Sequence, residues 1–173
     1  MQTITKLEQG QQRTNLSTRR AGLPQNTYIT EQKHTSMNPI LRNVMAVIAG
    51  VAAGTLVNGG LVTVGSNIIP APITVAQDNL QAIAESLHLF TPKHYLFPFL
   101  AHALGTLTAA FVAVKLSTSK HIGFGLGTGV FFLLGGITAA FMIPAHTWFV
   151  VVDLLLAYLP MGWLGWKLAG GRR

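Results

Sequence analysis

Four apolar runs, at about residues 44–67, 95–116, 122–143 and 147–166, decide what this chain can fold into. Each matches the roughly 20 residues that an α-helix needs to cross a hydrocarbon core. Lipid offers no partner for a backbone N–H or C=O, and a helix satisfies both within one segment. The expected fold is therefore all-α, an integral membrane four-helix bundle. Composition agrees: 10% of residues are charged, against about 25% in a soluble domain, and the mean hydropathy is +0.45. There is no cysteine, which excludes disulfides, thiolate metal sites and cysteine nucleophiles.

The 12 Lys and Arg against 5 Asp and Glu give a net charge of +7. Such a balance can mark nucleic-acid binding. Here the cations stand between apolar runs and read as topology signals, so the expected partner is the lipid bilayer and no nucleic acid. Lys6, Arg13, Arg19, Arg20, Lys33 and Arg42 precede span 1, Lys115 and Lys120 flank the turn between spans 2 and 3, and Lys167, Arg172 and Arg173 follow span 4. Only Lys93 falls on the other side. By the positive-inside rule both termini are cytoplasmic, in an inner (plasma) membrane.

Residues 1–36 are polar and lack a helical apolar stripe, which predicts a disordered cytoplasmic tail. Met37-Asn38-Pro39-Ile40-Leu41-Arg42-Asn43 has the character of a natural start, so residues 1–36 are either this tail, with translation from Met1, or an over-extended start ahead of Met37; residues 37–173 form the expected membrane domain. A mitochondrial transit peptide fits less well, because Glu8 and Glu31 interrupt it. Pro70 and Pro72 end span 1. Residues 74–90 then place Ala76, Leu80, Ile83, Ala84 and Leu87 on one helical face, with Gln77, Asp78, Gln81, Glu85 and His88 opposite. This segment is too short and too charged to span and is expected to lie flat at the membrane surface. Thr91-Pro92 supplies an N-cap and a first-turn proline for span 2, and Trp148, Trp163 and Trp166 fall where interfacial anchors of span 4 usually sit.

Small residues recur at every fourth position in span 1 (Ala46, Gly50, Gly54 and Asn58) and span 2 (Ala101, Gly105, Ala109 and Ala113), and span 3 carries two such pairs on one side, Gly125 with Gly129 and Gly136 with Ala140. Such ridges let helix backbones approach closely, either within one bundle or between copies in a homo-oligomer. Gly123, Gly125, Gly127 and Gly129 alternate with other residues, but Thr128 occupies the place of a third fingerprint glycine and no strand precedes them, so this is no dinucleotide site. A helix with small residues on two faces is the plainer account, and a locally unwound helix lining an ion path is the alternative.

Asp153, inside Val150-Val151-Val152-Asp153-Leu154-Leu155-Leu156, is the sharpest signal. An acid at mid-span costs roughly 2.5–3.5 kcal/mol on insertion scales, so it should face the bundle interior and have a partner. His102 is the obvious one: with spans 2 and 4 entering from the same side, both residues lie roughly 9–11 Å deep at the helical rise. Thr138 falls in the same layer and Asn58 about a turn deeper. The four form an expected intramembrane polar cluster, either a structural clip or a titratable site serving proton or solute movement. The histidines show no HExxH or comparable ligand spacing, so no metal or cofactor is expected, and no convincing nucleophile accompanies the pair, so no catalytic residue is assigned.

His88-Leu89-Phe90, Pro92-Lys93-His94 and Phe97-Pro98-Phe99-Leu100-Ala101-His102-Ala103-Leu104-Gly105-Thr106, with Phe131-Phe132-Leu133-Leu134-Gly135-Gly136 and Met142-Ile143-Pro144-Ala145, resemble a family of small uncharacterised bacterial membrane proteins. The resemblance spans about residues 37–168 and implies a bacterial inner-membrane, four-span protein; it brings no activity, ligand or partner with it. The leading expectation is a non-enzymatic accessory or structural membrane component, alone, as a homo-oligomer or with a membrane protein partner. The alternative is a small, oligomeric transporter or channel using Asp153 and His102. Intact-mass spectrometry of the native protein decides between the two starts: a chain beginning at Met37 makes residues 1–36 an over-extended start, and a mass that includes residue 1 or 2 overturns the Met37 start.

Overall fold

A computed structural model describes residues 38–72 and 79–171. The expected tail (1–36), the start at Met37, the first part of the surface segment (73–78) and Arg172 and Arg173 lie outside the described residues. Among the described residues every regular element is helical: α1 Pro39–Ile68, α2 Leu80–Glu85, short 3-10 turns at Leu87–Leu89 and Pro92–Tyr95, α3 Leu96–Leu116, α4 Ile122–Met142, α5 Thr147–Leu156 and α6 Leu159–Leu168. Four stretches are long and apolar enough to cross a membrane: Pro39–Ile68, Pro92–Leu116, Ile122–Met142 and Thr147–Leu168. Large apolar side chains such as Leu56, Leu134, Phe141 and Leu155 point outward from them, an arrangement that requires lipid around the bundle. The chain is a multi-pass membrane protein.

Local chemistry sets each helix end. α1 begins before the expected residue 44 because Asn38 and Pro39 form a cap: Asn38 Oδ1 accepts the Ile40 N–H at 2.9 Å and Pro39 takes the first turn. At 30 residues the helix is about 45 Å long, well beyond a hydrocarbon core of about 30 Å. Thr63, Ser66 and Asn67 near its end donate to carbonyls one turn back, so their polar groups are satisfied inside the helix. In span 2 the Thr91 N–H donates to His94 Nδ1 at 3.0 Å and opens the 3-10 turn that runs into α3. Pro98 causes no break, because it lies in the first turn of α3, where an N–H would have no helical partner. α4 is a continuous α-helix, so its alternating glycines do not unwind it.

Span 4 departs from the expected single helix. It breaks at Ala157-Tyr158 into α5 and α6. Pro160 is the cause: it lacks the N–H that would bond the Leu156 carbonyl, and its ring collides with that carbonyl in a continuous helix.

α3 is the central element, in contact with α1, α4 and α6, while α1 rests mainly on α3. The small-residue ridges make these contacts. A Cβ added at Gly50 would lie 2.5 Å from the Ala109 carbonyl oxygen, and one at Gly54 2.6 Å from that of Gly105. Conversely, a Cβ at Gly105 would meet the Gly54 oxygen at 2.9 Å. Gly125 and Gly129 of α4 face Gly162 of α6, where a Cβ at either Gly125 or Gly162 would come within 2.8 Å or 2.7 Å of the other's carbonyl oxygen. Gly165, on another side of α6, comes as close to the Leu107 oxygen of α3, at 2.6 Å. Five of the glycines expected to pack helices (Gly50, Gly54, Gly105, Gly125 and Gly129) are thus occupied within one chain, and their faces are closed to a second copy.

The two ends of the bundle differ. At the end carrying both ends of the described chain, the terminal end, Arg42 Nε donates to the Leu116 carbonyl at 3.1 Å, and the Thr118 N–H and hydroxyl donate to Asn43 Oδ1 at 2.8 Å. Trp166 is buried against Val114 and Ala169, and its indole N–H donates to the Lys120 carbonyl at 2.9 Å. It is an internal tie, where an interfacial anchor had been expected; Trp148 and Trp163 do remain exposed. The opposite, loop end carries the connection between spans 1 and 2 and the loop between spans 3 and 4.

Gly54→Leu should weaken the α1–α3 contact by about 1–3 kcal/mol, the usual cost of overpacking. Gly60→Leu, where a side chain meets nothing within 4 Å, should leave stability unchanged; unfolding of the purified protein by denaturing detergent reads both.

Candidate functional site

Asp153 opens the last turn of α5 and His102 lies in the second turn of α3, on the loop-end half of the bundle. Spans 2 and 4 run in the same direction, which sets the two side chains at the same level. His102 Nδ1 is 2.9 Å from both carboxylate oxygens of Asp153. The Tyr158 hydroxyl donates to Oδ2, also at 2.9 Å, and its ring stacks on the imidazole with centroids 5.8 Å apart. Asp153 is 4% exposed, and among the described residues no buried side-chain nitrogen or oxygen lacks a partner. A carboxylate that accepts from imidazole and phenol places the ring proton on Nδ1, so in the neutral imidazole Nε2 is left as an acceptor. Charge-assisted bonds of this kind offset the cost of placing an acid at this depth.

Tyr158 was not among the residues expected in the cluster. Five positions separate it from Asp153, which on a continuous helix is about 140° of rotation and points the two side chains apart. The break before Pro160 turns the phenol back onto the carboxylate. Gly136 makes room for it: any Cβ there would collide with the Tyr158 ring and hydroxyl. The sequence signal for both was Pro160, two residues beyond a tyrosine in mid-span.

Asn58 and Thr138 do not join the carboxylate. Thr138 is exposed and donates to the Leu134 carbonyl of its own helix at 2.9 Å, a bond that satisfies a hydroxyl in lipid with no second helix. Asn58 is half-buried against Gly105 and makes no side-chain hydrogen bond among the described residues. Both line a crevice of about 460 Å³ between α1 and α4, which His102 and Tyr158 close from the inner side.

On its other side the His102–Asp153 pair floors a cavity of about 390 Å³. Its walls are apolar, from Pro98, Ala139, Ala140, Ile143, Phe149, Val150 and Leu154, and Ile83 and Leu87 of the surface segment complete them at the loop end. The amphipathic pattern thus puts these two expected inward residues over the cavity, while Leu80 and Ala84 are exposed. At the same end the Tyr95 hydroxyl bonds His146 Nδ1 at 2.9 Å, and its ring packs on Phe149 at 4.6 Å and Trp148 at 5.5 Å. Tyr95–His146, at the residues just before α3 and α5, and His102–Asp153, within them, are two clips seven residues apart along both chains of the pair. α5 has only sparse contacts with α3 and α4, so the clips carry much of its attachment.

The remaining histidines are used locally. His88 Nδ1 approaches the Glu85 carbonyl at 3.0 Å, and at the terminal end His121 Nδ1 accepts the Gly123 N–H at 3.1 Å and caps α4. Among the described residues no three His, Asp or Glu side chains gather as metal ligands would. Comparison with known protein families, characterised proteins and solved structures finds no significant match to this chain.

Tyr158→Phe removes one donor from Asp153 and keeps the ring. The expected loss is about 0.6–3 kcal/mol, the range for hydrogen bonds in membranes and to charged groups; unchanged unfolding would mean that the phenol contributes nothing to the carboxylate.

Proposed function

We propose that the protein is a non-enzymatic accessory or structural component of a bacterial inner membrane, whose polar layer holds a broken transmembrane helix in place. The observation that carries this reading is the saturation of Asp153: a buried carboxylate bonded to His102 and Tyr158. A group so occupied joins helices. The resemblance to small bacterial four-span proteins fits this setting, and lipid, further copies or a membrane protein are its partners, meeting it through surfaces other than the packed ridges.

A double-mutant cycle tests the clip. Asp153→Asn and His102→Ala should each destabilise the fold, with a coupling of about 0.6–1.7 kcal/mol, as for hydrogen-bonded pairs within membranes. Additive losses would remove the clip from the account.

One observation favours a second reading, a small transporter or channel with a proton- or cation-sensitive site. His102 borders both the loop-end cavity and the α1–α4 crevice, so one imidazole faces two compartments of the bundle. In that case His102→Ala would fold normally in liposomes and lose proton-coupled flux; wild-type liposomes without flux exclude it.

The basic count further supports cytoplasmic termini. Because the chain has no cysteine, single replacements report sidedness directly. Lys93→Cys should react with an impermeant maleimide on intact cells, and Ser119→Cys only after permeabilisation. The reverse pattern inverts the topology.

A further inference from the structure

We infer that the cavity above His102 and Asp153 is a binding site for a lipid-soluble molecule with an apolar body and a single neutral hydroxyl head. Its volume of about 390 Å³ lies within the range of small-molecule pockets, roughly 300–1,000 Å³. Almost all of its wall is apolar, and the side chains with polar atoms that line it are His94 and Tyr95 from the loop-end turn and His102 and Asp153 from deeper in the bundle.

The floor selects the head. Both oxygens of Asp153 are held by His102, and Oδ2 by Tyr158 as well. The position left open is His102 Nε2, which has no hydrogen-bond partner among the described residues. Among the described residues no buried side-chain nitrogen or oxygen lacks a partner, so Nε2 is accessible, on a side chain that is 26% exposed and lines both this cavity and the α1–α4 crevice. In the neutral imidazole, with its one ring proton on Nδ1 facing the carboxylate, Nε2 offers a lone pair and calls for a donor. A carbonyl or ether head brings no donor. An anionic head would meet the Asp153 carboxylate with no lysine or arginine among the lining residues to offset it. A cationic head would lose its hydration against apolar walls and find the carboxylate oxygens taken. A neutral O–H satisfies the site without adding charge. The Nδ1 side of His102 joins helices whether or not Nε2 holds a ligand, so this site stands apart from the clip.

4-Octylphenol and its methyl ether, 4-octylanisole, share one apolar body and differ in the O–H. Each would be titrated calorimetrically into the full chain in lipid nanodiscs, with empty nanodiscs subtracted. The phenol is expected to saturate at one per chain, with the ether about tenfold weaker, the worth of one buried hydrogen bond. Ala140→Phe, which fills the cavity, should abolish saturable binding while helical circular dichroism is retained. The wild-type comparison decides alone if that variant does not fold. Equal affinity for phenol and ether, binding no greater than to empty nanodiscs, or unchanged binding by folded Ala140→Phe would each overturn the site.

Discussion

Apolar side chains gain little by moving from lipid tails to one another, so helices in a bilayer must be held by something more specific. In this bundle it is the approach of backbone to backbone across glycine. Gly54 and Gly105 touch each other's carbonyls, and Gly125 and Gly162 repeat the arrangement between α4 and α6. α3 forms one side of the first seam and also touches both helices of the second, because its alanines, glycine and threonines let α1, α4 and α6 all come close. The rest of the architecture follows from that choice of centre. α1, joined along one seam, leaves most of its surface to lipid, and a crevice remains between it and α4.

The loop-end half of span 4 is built differently. Where α6 is clamped by Gly162 and Gly165, α5 is a short half-helix that meets its neighbours sparsely and is held by directional bonds. Tyr95–His146 and His102–Asp153 fix its register on α3. Looser packing is also what leaves the cavity, so the polar clips and the open space beside them have one origin in the break at Ala157-Tyr158. The same proline that interrupts the helix supplies the third member of the cluster, by turning Tyr158 toward the carboxylate.

Much of this was legible in the residues. Span number and rough limits follow from hydropathy, and the pairing of His102 with Asp153 from depth alone, because an acid in lipid must find a partner at its own level. What escaped was whatever depends on direction around a helix axis. Thr138 has the right depth but faces outward, and Asn58 faces the crevice; depth arithmetic has no azimuth. Tyr158 points away from Asp153 on one unbroken span 4, and only the interruption that Pro160 marks brings the two together. Gly162 and Gly165 show no four-residue repeat, because they face two different neighbours. Trp166 looked like an anchor by position, yet the Lys120 carbonyl gives its indole an internal partner.

The parallel placement of spans 2 and 4 has a consequence for biosynthesis. His102 precedes Asp153 by 51 positions, so at about 5–20 residues per second the ribosome makes the imidazole several seconds before the acid. Span 2 can therefore be settled, with α1 already seamed to it, before Asp153 is presented to the lipid. The costly residue arrives last, into a membrane where its partner is waiting, and the apolar residues on either side of it are what carry it that far.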